Sequence, residues 1–128
     1  MLETGIKGNR EITVTEEVTA RTMGSGQLEV FATPAMIALA EETAWRSVAG
    51  ELGAGQGTVG TRLEIGHLSA TPLGMKVFCE TELTAIDRRK LTFRVQIRDE
   101  AGLIGRGIHE RFIVENEKFL ARAQSKRA

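Results

Sequence analysis

Hydrophobic and polar positions alternate through much of this 128-residue chain. In residues 11–19, Ile12, Val14 and Val18 point one way and Thr13, Thr15, Glu17 and Thr19 the other, the period of a half-buried strand. Residues 21–29 are polar, contain Gly24-Ser25-Gly26 and predict a loop. A helix is predicted to start at Thr33, whose hydroxyl can accept from an orphan backbone N–H, with Pro34 at the first helical position, where no donor is needed. At about 100° per residue, Met36, Ile37, Ala40, Ala44, Ser47 and Val48 share one arc. Glu41 lies at the edge of that arc and Glu42 on the polar side. The arc is rich in alanine, so another group can approach it closely. Gly50 is the expected C-cap.

Residues 50–58 hold four glycines and read as a flexible connection. Four strand patterns follow. Val59, Thr61, Leu63, Ile65 and His67 share one face, against Arg62, Glu64 and Leu68. After the turn Thr71-Pro72-Leu73-Gly74, Met75, Val77, Cys79, Thr81, Leu83 and Ala85 alternate with Lys76, Glu80 and Glu82. After Asp87-Arg88-Arg89-Lys90, Leu91, Phe93, Val95 and Ile97 alternate with Thr92, Arg94, Gln96 and Arg98. Beyond the turn Asp99-Glu100-Ala101-Gly102, the last apolar set is Ile104, Ile108, Phe112 and Val114. Strands joined by such short turns are antiparallel. One helix on one antiparallel sheet is an α+β architecture, and the helix covers a single face. The exposed edge and face predict dimerisation.

The length suits one domain spanning 1–128, with residues 1–9 and 121–128 as frayed termini. Seventeen basic side chains balance seventeen acidic ones, which removes any global charge argument for nucleic acid or an anionic membrane. The basic cluster at Arg88-Arg89-Lys90 reads as a hairpin turn and the cations of residues 122–127 as a solvated terminus, although a cationic rim also suits an anionic ligand. Tyr is absent and aromatics are few, against a stacking platform for single-stranded nucleic acid. Cys79, the only cysteine, allows no intrachain disulfide, fits a reducing compartment and reads as a core residue. Neither a signal pattern nor a membrane-length apolar run is present, which predicts a soluble, cytoplasmic protein.

Three polar residues stand out in apolar settings. His67 shares its face with Val59, Leu63 and Ile65. A histidine so placed is either a satisfied core residue or a general base. Glu41 borders the apolar arc, where a carboxylate either reaches water or is buried and paired. Thr33 is explained as an N-cap, but the same position offers backbone N–H groups and the positive end of the helix dipole to an oxyanion. Thr33 and Glu41 are about 12 Å apart along the axis at 1.5 Å per residue. Glu110 interrupts the last apolar set; a bulge at Gly105 or Gly107 would return it to solvent, as the partner of an arginine. Gly53-Ala54-Gly55-Gln56-Gly57 follows a helix, the wrong context for a dinucleotide fingerprint. Two histidines and one cysteine have no metal-ligand spacing, and no metal is expected.

The motifs Val30-Phe31-Ala32-Thr33 with Glu41, Thr58-Val59-Gly60-Thr61, His67-Leu68-Ser69-Ala70-Thr71-Pro72, Gly107-Ile108-His109-Glu110-Arg111 and Glu117-Lys118-Phe119 resemble the hotdog-fold acyl-CoA thioesterases, specifically the fluoroacetyl-CoA thioesterase-like group. The resemblance covers roughly residues 11–119. It implies a long central helix wrapped by an antiparallel sheet, and a homodimer, compatible with a tetramer, whose acyl-CoA sites lie near the subunit interface. It implies Thr33, Glu41 and His67 as the catalytic group and Gly60, with Pro34 and Thr61, as substrate-binding residues. No cofactor is implied, coenzyme A entering as part of the substrate. Two departures are visible. Residues 21–29 lack the aromatic residues that cover the acyl group in the fluoroacetyl type, and Pro34-Ala35 replaces a Gly-Phe pair.

The expected function is hydrolysis of a small acyl-CoA, with His67 activating Thr33 or a water and Glu41 orienting His67 or attacking as a nucleophile. The alternative is a non-catalytic acyl-CoA or small-ligand binding module, which has no need of a hydroxyl, a carboxylate and an imidazole together. A hydratase reading fails because Arg62 and Ile104 stand five residues before the histidines, where an Asp would be required.

Overall fold

The computed structural model describes residues 1–127. Strand β1 spans Lys7–Thr13, a short helix α1 Ala20–Met23 and the long helix α2 Thr33–Ala49. Strands β2 (Gln56–His67), β3 (Lys76–Asp87), β4 (Lys90–Asp99) and β5 (Leu103–Glu115) follow, then helix α3 (Asn116–Gln124). The sheet order is β1-β3-β4-β5-β2 with every pair antiparallel, so β1 and β2 are the edges.

Helix α2 lies on one face and buries Ala35, Met36, Leu39, Ala40, Thr43, Ala44 and Val48. Leu39 and Thr43 extend the predicted arc. Opposite them Val77, Cys79, Leu83, Leu91, Phe93, Val95 and Ile97 are fully buried, the set that alternation predicted for β3 and β4. Each large apolar side chain removed from water in this layer contributes about 1.5–3 kcal/mol. Glu42 meets Arg46 and Arg10 on the polar side of the helix. Gly50 caps α2, in right-handed rather than left-handed geometry (φ −72°).

Several expectations give way to the geometry. The first strand runs over residues 7–13 instead of 11–19, and residues 16–18 form a 3-10 turn. Residues 7–9, expected to fray, pair with Glu82, Thr81 and Glu80. The marker of this strand is invisible to hydropathy. Gly8 faces inward, where a Cβ would lie 2.7 Å from both the Thr43 carbonyl and Thr81 Oγ1. Residues 21–29 are not all loop, because Thr19 caps α1 by accepting from the Thr22 N–H. Within 121–128, residues 121–124 remain helical in α3 and 125–127 form a 3-10 turn, and Ala128 lies outside the described residues.

Two bulges change which side chains face the helix. In β2 the register shifts between Gly60 and Arg62, so Gly60, opposite buried Arg111, turns inward and Val59, opposite half-exposed Phe112, turns outward. In β5 the pairing with β4 shifts beside Ile104. Ile104 is buried as expected, but Ile108 and Phe112 are exposed, and His109 and Arg111 point into the protein in their place. Glu110 faces outward, 4.0 Å from both Arg62 and Lys90. Among the described residues no helix is long and apolar enough to cross a membrane.

Candidate active site

The N-terminus of α2 and the end of β2 meet at a hydroxyl and an imidazole. Ala32, in extended geometry, is the helix cap and makes no side-chain cap bond, so Thr33 sits one residue inside the predicted position. Its hydroxyl is thereby released from capping and lies 2.7 Å from His67 Nδ1. Thr33 is exposed and His67 half-buried. Pro34, also exposed, follows in the first turn. Among the described residues, the amides of Thr33 and Ala35 make no backbone hydrogen bond outside regular structure, which leaves donors beside the hydroxyl. His67 Nε2 is buried and has no hydrogen-bond partner. The pair opens on a hollow of about 290 Å³ lined by Phe31, Thr33, His67, Leu68 and Ser69, with Ala20 and Ser25 at its margin.

A buried lock holds both segments. Thr71, fully buried, donates to Asp99 Oδ2 at 2.8 Å, and the amides of Ala101 and Gly102 donate to Asp99 Oδ1. The Thr71 carbonyl in turn accepts from the Phe31 amide at 2.8 Å. Asp99, at the end of β4, therefore anchors Thr71, four residues past His67, and Thr71 through its carbonyl holds Phe31, two residues before Thr33. Burial, the largest single influence on Asp99, pushes its carboxyl up, and these donors outweigh it and hold the group below the ordinary value.

Glu41 does not join this pair within the chain. Two turns further along α2, its Oε2 accepts from Arg111 Nη1 at 3.0 Å. Arg111 is almost wholly buried and spends its remaining donors on Thr58 Oγ1, the Thr58 carbonyl and His109 Nε2, at 2.8–3.0 Å. His109 Nδ1 lies 2.8 Å from the Arg62 carbonyl. That acceptor assigns the ring proton to Nδ1 and leaves Nε2 to receive from the guanidinium. Burial pushes the His109 pKa down, as does Arg111, and burial likewise lowers Arg111 against the opposing pull of Glu41. Gly60 makes room for this cluster, because a Cβ there would collide with Glu41 Oε2. Thr61, at the bulge, donates to the Glu110 carbonyl at 3.2 Å and is exposed.

The structure thus brings Thr33 and His67 together and sets Glu41 and Gly60 beside Arg111 and His109, which the sequence offered only within a motif, while Asp99 was expected only in a turn. The available signal was the glycine pair Gly105 and Gly107 next to Ile104, where the register shift moves the inward positions of β5 by one.

The profile of the fluoroacetyl-CoA-specific thioesterase family matches residues 14–117. A fluoroacetyl-CoA thioesterase from Streptantibioticus cattleyicolor is 40% identical over 98 residues, which is 77% of this chain and 70% of the relative. The solved structure of the fluoroacetyl-CoA thioesterase FlK superposes with a TM-score of 0.92 at 32% identity, over 98% of each chain. A thioesterase superfamily member from Thermus thermophilus gives 0.89 at 27% identity, over 99% of this chain and 96% of that one. By sequence and by its hotdog fold, the chain belongs to the fluoroacetyl-CoA-specific thioesterase family.

Proposed function

We propose that this thioesterase hydrolyses a small acyl-CoA to the free acid and coenzyme A at a site shared between two subunits. The observation that carries the reading is the 2.7 Å contact of Thr33 Oγ1 with His67 Nδ1 beside free helix-terminal amides. With Nδ1 as acceptor, His67 takes a proton from Thr33, or from a water in its place, as the thioester carbonyl is attacked. The free amides of Thr33 and Ala35 face the oxygen that gains charge. Pro34 and the 290 Å³ hollow border the thioester.

The second subunit enters because the protomer is incomplete. Among the described residues, no carboxylate of the same chain hydrogen-bonds to His67, whose one side-chain partner is Thr33. Glu41 of the same chain is engaged with Arg111, about 12 Å along the helix from Thr33. The 12-residue edge strand β2 is unpaired on its outer side and exposes Leu63. A two-fold axis across that edge continues the sheet and brings the partner's Glu41 and Gly60 toward His67. Glu41 then orients His67, and Gly60 with Thr61 borders the acyl group.

Thiol release from a panel of short acyl-CoAs tests the activity. His67→Ala and Thr33→Val are expected to lose on the order of 100-fold in turnover. Normal rates in His67→Ala would remove the base. Co-refolding Thr33→Val with Glu41→Gln tests the shared site. In a heterodimer one site then carries both substitutions and the other neither, so activity returns. If each site is built from one chain, the mixture stays as inactive as its parents.

A further inference from the structure

The middle of β2 carries a charge pattern that is complementary to itself. Arg62 and Glu64 flank Leu63 on the outward face, 57% and 66% exposed. Within the chain they make only a 3.3 Å rim pair, the kind that contributes little. Turned end for end about Leu63, the same strand offers a glutamate to every arginine. β2 is also the longer edge of the sheet, 12 residues against seven in β1. A long edge is a template for a further strand. A second copy of this chain supplies the strand whose charges match.

The charges also decide where the two-fold axis falls. An axis normal to the sheet keeps inward side chains opposite inward ones, so it passes through a residue: Arg62, Leu63 or Glu64 near the middle. At Arg62 it would set two guanidinium groups against each other, and at Glu64 two carboxylates. Like charges directly opposite are destabilising. At Leu63 it gives two opposite-charge pairs and joins leucine to leucine, a side chain left 38% exposed in the single chain. The irregularity at Thr61 fixes the rest. Thr61 has no partner on β5. Gly60 and Ile65 both face inward, so the new ladder must skip Thr61 as well. Gly60 then pairs with Ile65, Val59 with Gly66 and Thr58 with His67. Half-buried Val59 thus meets a residue with no side chain.

We infer that two copies join through β2 with Leu63 on the axis, each Arg62 bound to the partner's Glu64 and each His67 faced by the partner's Thr58. The inference rests on the shared-site reading above and adds the alignment that builds the site. Thr58 Oγ1 accepts from Arg111 Nε at 2.8 Å, and Nη1 of the same guanidinium donates to Glu41 at 3.0 Å. The alignment that seats Thr58 against the imidazole therefore carries Glu41 with it. Arg62 and Glu64 touch no substrate; they select the partner strand and its register.

Charge reversal tests the selection. Arg62→Glu and Glu64→Arg should each turn two attractive pairs into two repulsive ones and raise the dimer dissociation constant roughly 30-fold, read by sedimentation over a dilution series. The double variant, and an equal mixture of the two single variants, should dimerise as wild type does, which a folding defect would not allow. Single variants as tightly dimeric as wild type would overturn the inference, as would a double variant that stays dissociated. Cross-linking tests the register. Leu63→Cys should form a disulfide with its own copy under mild oxidation, whereas Arg62→Cys and Glu64→Cys should each stay uncoupled, two residues out of register, and couple when mixed. Thr58→Cys mixed with His67→Cys should couple at the site itself. Cys79 is buried and stays silent. Self-coupling of Arg62→Cys or Glu64→Cys, or none by Leu63→Cys, would refute the alignment. The gel needs no turnover. The expected couplings without thiol release would sink the hydrolase reading alone, and thiol release with self-coupling at Glu64→Cys would sink this register alone.

Discussion

Replacing Arg111 by Met should cost about 3 kcal/mol of folding stability, and the cost can be assembled from its contacts. The guanidinium is 6% exposed and donates to Glu41, His109 and twice to Thr58. Met fills comparable volume, so little cavity term is added. His109 Nε2 is left buried without a donor, worth about 1–3 kcal/mol. The Glu41 carboxylate is 37% exposed, so its lost pair lies at the surface end of the scale, about 1 kcal/mol. Thr58 is half-buried and recovers water in part. For a chain of this length the sum corresponds to a fall in Tm of roughly 10 °C. Urea unfolding followed by circular dichroism, at one fixed protein concentration because assembly adds to apparent stability, provides the measurement. A double-mutant cycle with Glu41→Gln should return a coupling of about 1 kcal/mol. Arg111→Lys should recover little, because an ammonium cannot reach four acceptors in the plane of the fork. A loss below about 1 kcal/mol in Arg111→Met, or full recovery in Arg111→Lys, would show that the four bonds do not act as a unit.

Burial holds the His109 pKa below its ordinary 6.5, so folding favours the neutral ring; its contribution is complete above that value and declines as pH falls through the folded value. His109→Gln should flatten the acid-side loss of stability in unfolding curves between pH 7 and 5, and an unchanged slope would exclude His109 as its source. Thr71→Val should lower turnover far more than it raises KM, since it frees the segments carrying Thr33 and His67, while Thr71→Ser keeps the Asp99 bond and restores the rate; equal rates in both would dismiss the lock. Cys79, whose thiol burial pushes up to about 11, should resist alkylation in the native state at pH 8 and react only on unfolding, as thiol titration would reveal. Gly60→Ala should displace the Glu41 carboxylate and reduce turnover, with wild-type kinetics arguing against a crowded site.

The sequence expressed the fold wherever alternation was backed by side chains. Leu91, Phe93, Val95 and Ile97 are all buried in β4, and Val77, Cys79, Thr81 and Leu83 in β3, as a strict two-residue period demands. It failed where backbone did the work. Gly8 marks the inward face of β1 by having no side chain, so hydropathy begins at Ile12 and Val14 and places the strand start four residues late. In β5 the displaced register made Ile108 and Phe112 look like core and hid His109 and Arg111, a polar pair that hydropathy assigns to solvent. Glu41 and His67 were legible because each stands among apolar neighbours. Thr33 was found for an incomplete reason, since the cap belongs to Ala32 and the hydroxyl is turned to His67.

The irregularity at Thr61 divides β2 into two reading frames. Upstream of it Gly60 faces the helix, and downstream Leu63, Ile65 and His67 do, so the inward positions are even-numbered on one side and odd-numbered on the other. Deleting Thr61 would merge the frames without re-aiming either half: Gly60 would stay opposite Arg111, Arg62 opposite Glu110 and Leu63 opposite His109, now in strict alternation. A single surface threonine without a register partner on β5 thus governs the local bend and twist of this edge, not the facing of the site.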